Sequence, residues 1–319
     1  MDDTVVVTGG AGFIGSTLVD RLLAESRRVV VVDDLSTGRL DNLAEARRLY
    51  PGQLEFVRMD ISAPRGLTQV VARHRPDVIY HLAAQISVRK SVEDPRSDLR
   101  ANVLATLEVV EAAREVGARK VVMATSGGCI YGEPAEADLP VTEDMDATAH
   151  SPYGASKRAA EEYLRTWGVL YDLRWTTLAL ANVYGPRQDP RGEAGVIAIF
   201  TERMLAGQPC TIYGDGEQTR DFVHVDDVVH AFVLAGAKGD DRRFNIGTSQ
   251  QTSVKRLHQA LAAVTGHDQE PVFGPERAGE LRHSAVDPTA AAEGLGWRPF
   301  TSLEQGLAST LEWARTVLT

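Results

Sequence analysis

Cysteine is nearly missing from this 319-residue chain: Cys129 and Cys210 are the only two. Two cysteines cannot build a disulfide framework or a cysteine-based zinc site. Long apolar runs are missing too. None approaches the roughly 18 residues that a membrane span needs, and no signal-peptide pattern precedes Thr4. Positive charge is in short supply. Lys and Arg number 34 against 44 Asp and Glu, a net charge of −10 that disfavours nucleic acid or an anionic membrane as partner. Internal repeats and low-complexity linkers do not occur. What remains is long enough to bury a large core, as one big domain or two modest ones. A cytoplasmic enzyme fits these bounds.

The first 180 residues alternate strand and helix patterns. Short β-branched runs at 4–8, 28–33, 54–57, 78–82, 120–125 and 174–181 read as strands. Helical periodicity is expected over 16–26, 97–116 and 152–171. Asp94, Asp98 and Arg100 read as a helix-start charge cluster. The alternation predicts an α/β fold with a doubly wound parallel sheet of the Rossmann kind. After Asn182, proline and glycine punctuate the chain. A helix is expected over 196–206, a strand over 210–213, and later helices near 253–265 and 303–316. This predicts a first domain over 1–182, with an interleaved return near 222–247, and a smaller C-terminal α/β lobe over 183–319.

Gly9-Gly10-Ala11-Gly12-Phe13-Ile14-Gly15 follows the first strand and opens a helix that carries Leu18, Leu22 and Leu23 on one face. Strand, glycine turn and helix in that order make a dinucleotide fingerprint. The glycines let backbone N–H groups approach a pyrophosphate, and the helix N-terminus supplies positive potential. The second strand ends in Asp33, about twenty residues on. Its carboxylate suits both ribose hydroxyls and would repel a 2′-phosphate, which favours NAD over NADP. Arg39 would favour NADP but lies beyond the strand end. Asp60 and Ile61 are placed to flank adenine. The strand over 78–82 ends in Leu82 and is followed by Ala83-Ala84-Gln85, where small residues would let the chain pass close to a cofactor.

Tyr153-Gly-Ala-Ser-Lys157 pairs a phenol with an amine one helical turn later, on one helix face. A free tyrosine, with a pKa of about 10, is a poor base at neutral pH. A lysine ammonium beside it is expected to stabilise the phenolate and pull that value down. Such a phenol could take a proton from an alcohol while a nicotinamide accepts the hydride. Ser126-Gly127-Gly128 sits at a strand C-terminus, where open parallel sheets bind ligands.

These motifs, with Asn182-Val-Tyr-Gly-Pro186, Arg220-Asp-Phe-Val-His-Val-Asp-Asp227 and Phe244-Asn-Ile-Gly247, make the chain resemble the extended short-chain dehydrogenase/reductases over nearly its whole length. Within them it resembles the UDP-glucose (UDP-galactose) 4-epimerases. The resemblance implies a tightly held NAD and a UDP-sugar substrate whose C4 is inverted through a 4-keto sugar that swings about its pyrophosphate link. Tyr153 would be the base, Lys157 would also bind the nicotinamide ribose, and Ser126 would hold the reacting oxygen, with Thr125 the alternative. In many relatives that hydroxyl stands four residues before the tyrosine of the Tyr-Gly pair. Counted back from Tyr131, that place is Gly127. The 4,6-dehydratases need an Asp-Glu pair after the hydroxyl, and here it is Gly127-Gly128.

Among cofactor contacts the resemblance implies Asn102. At the UDP end it implies Arg220 and Arg277 for the pyrophosphate, Tyr213 and Phe222 flanking uracil or ribose, Asn182 at the phosphate–sugar link, and Val196 and Glu280 nearby. Arg187, Arg191 and Arg282 are spare cations. Arg191 would pair a C6 carboxylate, which makes UDP-glucuronate 4-epimerisation the alternative. UDP-glucuronate decarboxylation and a non-catalytic NAD-sensing regulator are further alternatives. His224, Asp226 and Asp227 look like a metal cluster, but the resemblance gives that stretch a structural role joining the lobes, and no metal is expected. Cys129 is expected near the nicotinamide. The helices over 97–116 and 152–171 pair in relatives, which implies a homodimer.

Overall fold

The structure, a computed structural model, describes residues 4–145, 148–191, 195–277 and 281–318. Six strands alternate with helices through the first part: β1 (Thr4–Thr8), β2 (Arg28–Asp33), β3 (Leu54–Arg58), β4 (Val78–His81), β5 (Lys120–Ser126) and β6 (Arg174–Leu180). Then come β7 (Asn182–Tyr184), β8 (Thr211–Tyr213), β9 (Thr219–His224), β10 (Arg242–Ile246), β11 (Gln251–Ser253) and β12 (Val272–Gly274). The helices are α1 (Phe13–Ala24), α2 (Ala44–Leu49), α3 (Gly66–His74), α4 (Val88–Glu93), α5 (Pro95–Leu99) and α6 (Ala105–Val116). They continue as α7 (Pro152–Tyr171), α8 (Val196–Leu205), α9 (Val225–Ala237), α10 (Val254–Thr265), α11 (Thr289–Gly294) and α12 (Leu303–Leu318).

Seven strands form one parallel sheet in the order β10-β6-β5-β4-β1-β2-β3. Val5–Val7 and Val29–Val32 are buried on both faces, as continuous valine runs in a parallel sheet must be. Alternation sends Val5, Val7, Val29 and Val31 toward Leu18 and Leu22 of α1 and Val228 and Phe232 of α9. Val6, Val30, Val32 and Val121 pack on the other face with Val109 and Val110 of α6 and Leu164 of α7. A smaller core of Tyr184, Phe200, Met204, Ile212, Leu257, Leu261 and Leu307 lies among α8, α10, α12 and the short strands. Among the described residues no helix is long and apolar enough to cross a membrane.

The strand order reverses between β1 and β4, which both pair with nothing between them. Crevices at such switch points are where open α/β sheets take their ligands. Two helices differ from the periodicity. Helix α1 begins at Phe13 rather than residue 16, because Gly12 caps it and the Ser16 hydroxyl bonds back to the Phe13 carbonyl at 3.3 Å. The helix expected over 97–116 is interrupted by a π-helical turn at Arg100–Leu104. The short helices α2, α3, α4 and α11 span too few turns to register as periodicity.

The stretch from His224 to Asp227 is architectural. The His224 ring accepts the Asp226 amide at 3.3 Å and faces the Ser309 hydroxyl at 3.1 Å. The fully buried Asp227 carboxylate accepts the amides of Phe300 at 3.0 Å and Thr301 at 3.3 Å, while its carbonyl takes the Trp297 indole N–H at 2.8 Å. Two part-buried backbone amides would lose their acceptor without it. Asp227→Ala should therefore lower unfolding free energy by about 2–4 kcal/mol. Asp226→Ala, at an exposed side chain, should change it by less than about 0.5 kcal/mol. Urea melts of the two variants check the difference.

Candidate active site

A cleft of about 470 Å³ opens at the C-terminal ends of β1, β4, β5 and β6. Gly9, Gly12, Phe13, Ile14 and Gly15 line its centre, and Asp33, Asp60 and Ile61 one end. Leu82, Ala83 and Ala84 face the glycine loop. Ser126, Tyr153 and Lys157 lie toward the other end, with Asn182, Val196 and Phe222 beyond them.

The glycine loop fits a pyrophosphate for steric reasons. Gly9 has φ +70, and a Cβ there would meet the Ala83 amide nitrogen at 2.6 Å. A Cβ on Gly15 would overlap the Gly9 carbonyl oxygen. The first turn of α1 carries no acidic residue, so its positive end is left for an anion. Asp33 is tied to this loop: its carboxylate accepts the Ala11 amide at 3.0 Å and the Leu35 amide at 2.8 Å. Burial pushes its pKa up and those two amides draw it back. The Arg39 guanidinium is exposed and reaches Asp41 at 3.4 Å, rather than Asp33. The glycine cradle, the unneutralised helix end and the oriented carboxylate together fit NAD. The sequence had not marked Asn42, whose amide holds the Ala11 carbonyl at 2.9 Å and fixes the loop from below.

Ser151 caps α7, accepting the Gly154 amide at 3.1 Å, and Pro152 occupies the first turn. That start points Tyr153 and Lys157 into the cleft, where they are 7% and 5% exposed. The Lys157 ammonium donates to the Ala124 carbonyl at 3.1 Å. Ser126 stands near enough to Tyr153 to draw its proton affinity down, whereas the buried Thr125 hydroxyl has no hydrogen-bond partner among the described residues. Of the two hydroxyls, Ser126 is thus the one beside the phenol. A side chain at Gly127 would be a tight fit, because a Cβ there would stand 3.0 Å from the Leu180 carbonyl and 3.1 Å from the Ala179 carbonyl.

One expectation is overturned. The Tyr153 phenol is not drawn down by Lys157. Burial pushes it well above the ordinary tyrosine range, with Cys129 adding to the rise and Ser126 drawing it back. Burial likewise pulls Lys157 down to about 8, against the opposing influence of Asp98. Desolvation disfavours both charges, and at this depth it outweighs a neighbour's help. Behind the pair, the His81 ring sits between the hydroxyls of Thr8 at 2.8 Å and Thr106 at 3.0 Å, pushed down to about 3 by burial and then by Lys157.

Other residues fall outside the cleft lining. Asn102 stands on the π-helical turn with its amide engaged by Gln85, Asp98 and Ser156, each at 3.0–3.1 Å. It supports the cleft wall instead of facing the cavity. Arg191 is a correction: its side chain is 79% exposed, lies 4.0 Å from Glu202 and is not among the described residues that line the cleft. Arg282 and Arg187 are paired with Asp215 at 2.8 Å and Asp20 at 2.6 Å. Arg277 lies over the Tyr213 ring, 3.7 Å from its centroid, and Arg220 donates to the Thr219 carbonyl at 2.7 Å. Neither Arg220, Arg277 nor Tyr213 lines the cleft, and Glu280 lies outside the described residues. Cys129 lines it next to Ser126, with its thiol pKa raised by burial. Gln188 was missed. Its amide nitrogen donates to the Val183 carbonyl at 3.1 Å and its buried oxygen has no partner.

Comparison with known proteins agrees with this geometry. Over 311 residues, 97% of this chain and 98% of the relative, the sequence is 53% identical to the UDP-glucose 4-epimerase of Mycolicibacterium smegmatis. The fold superposes with a TM-score of 0.95 on the crystal structure of a UDP-glucose 4-epimerase with UDP-glucose from Thermotoga maritima, at 45% identity, covering 99% of this chain and 100% of the other. The Thermus thermophilus UDP-glucose 4-epimerase in complex with NAD gives 0.90 at 40% identity, with 98% and 99% covered. Residues 5–247 match the sequence pattern of one family, and the chain is a member of it: the NAD dependent epimerase/dehydratase family.

Proposed function

We propose that the chain is an NAD-dependent isomerase, a UDP-hexose 4-epimerase of the UDP-glucose/UDP-galactose type. One observation carries the reading: Tyr153, Lys157 and Ser126 form a buried cluster in the same cleft as the glycine loop and Asp33. Gly9, Gly12, Phe13, Ile14, Gly15 and Asp33 would hold NAD, with Asp60 and Ile61 at its adenine end and Leu82, Ala83 and Ala84 opposite. When bound, NAD supplies the two-electron acceptor that C4 of the sugar requires and then the donor that restores it.

The chain's own residues handle the proton and the grip. Tyr153 takes the proton of the C4 hydroxyl, keeps it while the sugar is a ketone, and returns it. Ser126 holds the reacting oxygen. Lys157 stands one helical turn away, and a positive charge brought into the cleft is what the buried phenol needs to ionise. Inversion requires the ketone to turn over, hence few polar anchors around the ring. The walls near Tyr153 suit this, being built of Leu180, Ala181, Val183 and Val196. The UDP end must grip instead. Arg220 and Arg277 are assigned to the pyrophosphate, Tyr213 and Phe222 to the nucleoside, and Asn182 to the phosphate–sugar link. With Arg191 outside the cleft, no residue singled out for a C6 carboxylate remains.

The nucleotide-binding part is assigned to 1–182 with its return over 222–247, and the UDP-sugar lobe to 183–319. In support, β10 adds to the edge of the main sheet and α9 packs on α1. The cytoplasm is the proposed location. Homodimerisation is the proposed assembly: Val92, Leu99, Leu104, Tyr163 and Leu170 are exposed along the helices from 88 to 116 and over 152–171. Stripes of that kind on monomers mark association sites.

Three outcomes are expected. Purified protein, with no NAD added, should convert UDP-glucose to UDP-galactose and leave UDP-glucuronate unchanged, as resolved by chromatography. Tyr153→Phe should lower turnover by about 10²–10⁴-fold while keeping NAD bound, and retained activity would overturn the assigned base. Light scattering should give twice the 34.6 kDa chain mass, and Leu99→Asp with Leu170→Asp should give the monomer.

A further inference from the structure

Asp98 is the buried charge that the reaction as described does not use. In sequence it belongs to a helix-start cluster with Asp94 and Arg100; Asp94 caps α5 by accepting the Ser97 amide at 3.0 Å, and Asp98 stands in the same first turn. Asp98 is 1% exposed. One carboxylate oxygen accepts the Gln85 amide at 2.8 Å and the Asn102 amide at 3.1 Å, and the other is buried without a partner. Among the described residues it forms no ion pair. A buried carboxylate in that condition is costly unless its charge is needed.

The surroundings say where the charge acts. Asn102 links Asp98 to the Ser156 hydroxyl at 3.1 Å, and Ser156 is the neighbour of Lys157 on α7. Gln85, held by Asp98, accepts the Ser87 amide and donates to the Ser87 carbonyl at 2.9 Å, fixing the loop that carries Ala84 and Ile86 into the cleft. On its far side Asp98 borders a second cavity of about 240 Å³ with Lys90, Glu93 and Asp94. The titratable groups around Lys157 are Tyr153 on its own helix, His81 on β4, Cys129 after β5, and Asp98 on α5. His81 is neutral, and buried Cys129 holds its proton. Arg220 on β9 acts on Cys129 rather than on the lysine.

We propose that Asp98 is a positioning residue of the epimerisation, a buried counter-charge that keeps Lys157 an ammonium and sets the pH range of turnover while it braces Gln85 and Asn102. The proposal rests on the assignment of Tyr153 as base and Lys157 as its partner. Its consequence is directional. A negative charge raises the proton affinity of both groups, and Asp98 acts so on Tyr153 as well as on Lys157. Turnover requires the phenol ionised and the amine protonated. Removing the charge therefore moves the acid limb and the alkaline limb the same way, toward lower pH. A residue that merely braced the wall would change the height of the profile and leave its limbs in place.

The test is the pH profile of kcat and kcat/KM for the NAD-bound enzyme with UDP-glucose. Asp98→Asn keeps an acceptor for Gln85 and Asn102 and removes the charge. Both limbs should shift down by about one pH unit. Asp98→Glu should restore them. Gln85→Leu, which breaks the hydrogen bond and keeps the charge, should lower kcat without moving either limb. Should asparagine at 98 prevent folding, Asp98→Ser removes the same charge, and the same shift is expected. Unmoved limbs in a folded, NAD-loaded charge-removal variant would overturn the proposal, as would an equal shift in Gln85→Leu. Neither result would touch the assignment of the base, which fails only if Tyr153→Phe stays active.

Discussion

Two backbones meet at the split between β1 and β4, and the site depends on that contact. Gly9 leaves β1 in a left-handed conformation with the Ala83 amide close against its Cα. The Leu82 amide donates to the Thr8 carbonyl at 3.1 Å and the Thr8 hydroxyl accepts the Ala83 amide at 3.3 Å, so the two strand ends are tied where the chain reverses order. Any side chain at Gly9 would force them apart. Because they stay together, the loop can bring Ala11 to Asp33 and open α1 with bare amides. An anion seat, an acid for ribose and a narrow floor then follow from one steric fact.

The reactive end obeys a different constraint. Tyr153 and Lys157 are placed by a capped helix start against the end of β5, deep enough that burial governs both proton affinities. The phenol is held neutral and the amine is weakened as a cation. The protein by itself therefore stores a proton at Tyr153 instead of presenting a ready base. Charge supplied from within the cleft must reverse that, and Asp98 shifts both affinities in the same direction.

Much of this was legible in the sequence because it is local. β1, β2 and α7 begin and end close to where the runs 4–8, 28–33 and 152–171 place them, since valine runs and a Ser-Pro cap act within a few residues. Gly9 to Gly15, Asp33 and the Tyr153–Lys157 pair share the cleft for the same reason: each sits at a strand end or helix start that its own motif defines. Side-chain direction and burial were not legible. Asn102 is buried on a π-helical turn that no periodicity announces, and meets the buried Asp98 there. Arg191 turns outward, and Tyr153 responds to depth more than to its lysine. Those outcomes depend on packing between segments far apart in the chain.

The central claim is that C4 of the sugar loses and regains the same hydrogen while Tyr153 handles only the hydroxyl proton. UDP-glucose carrying deuterium at C4 measures this directly. The account predicts that UDP-galactose formed in ordinary water keeps the deuterium at C4, and that turnover is slowed by the label. Deuterium released to solvent would mean that C4 gives up a proton instead, and the account would be contradicted.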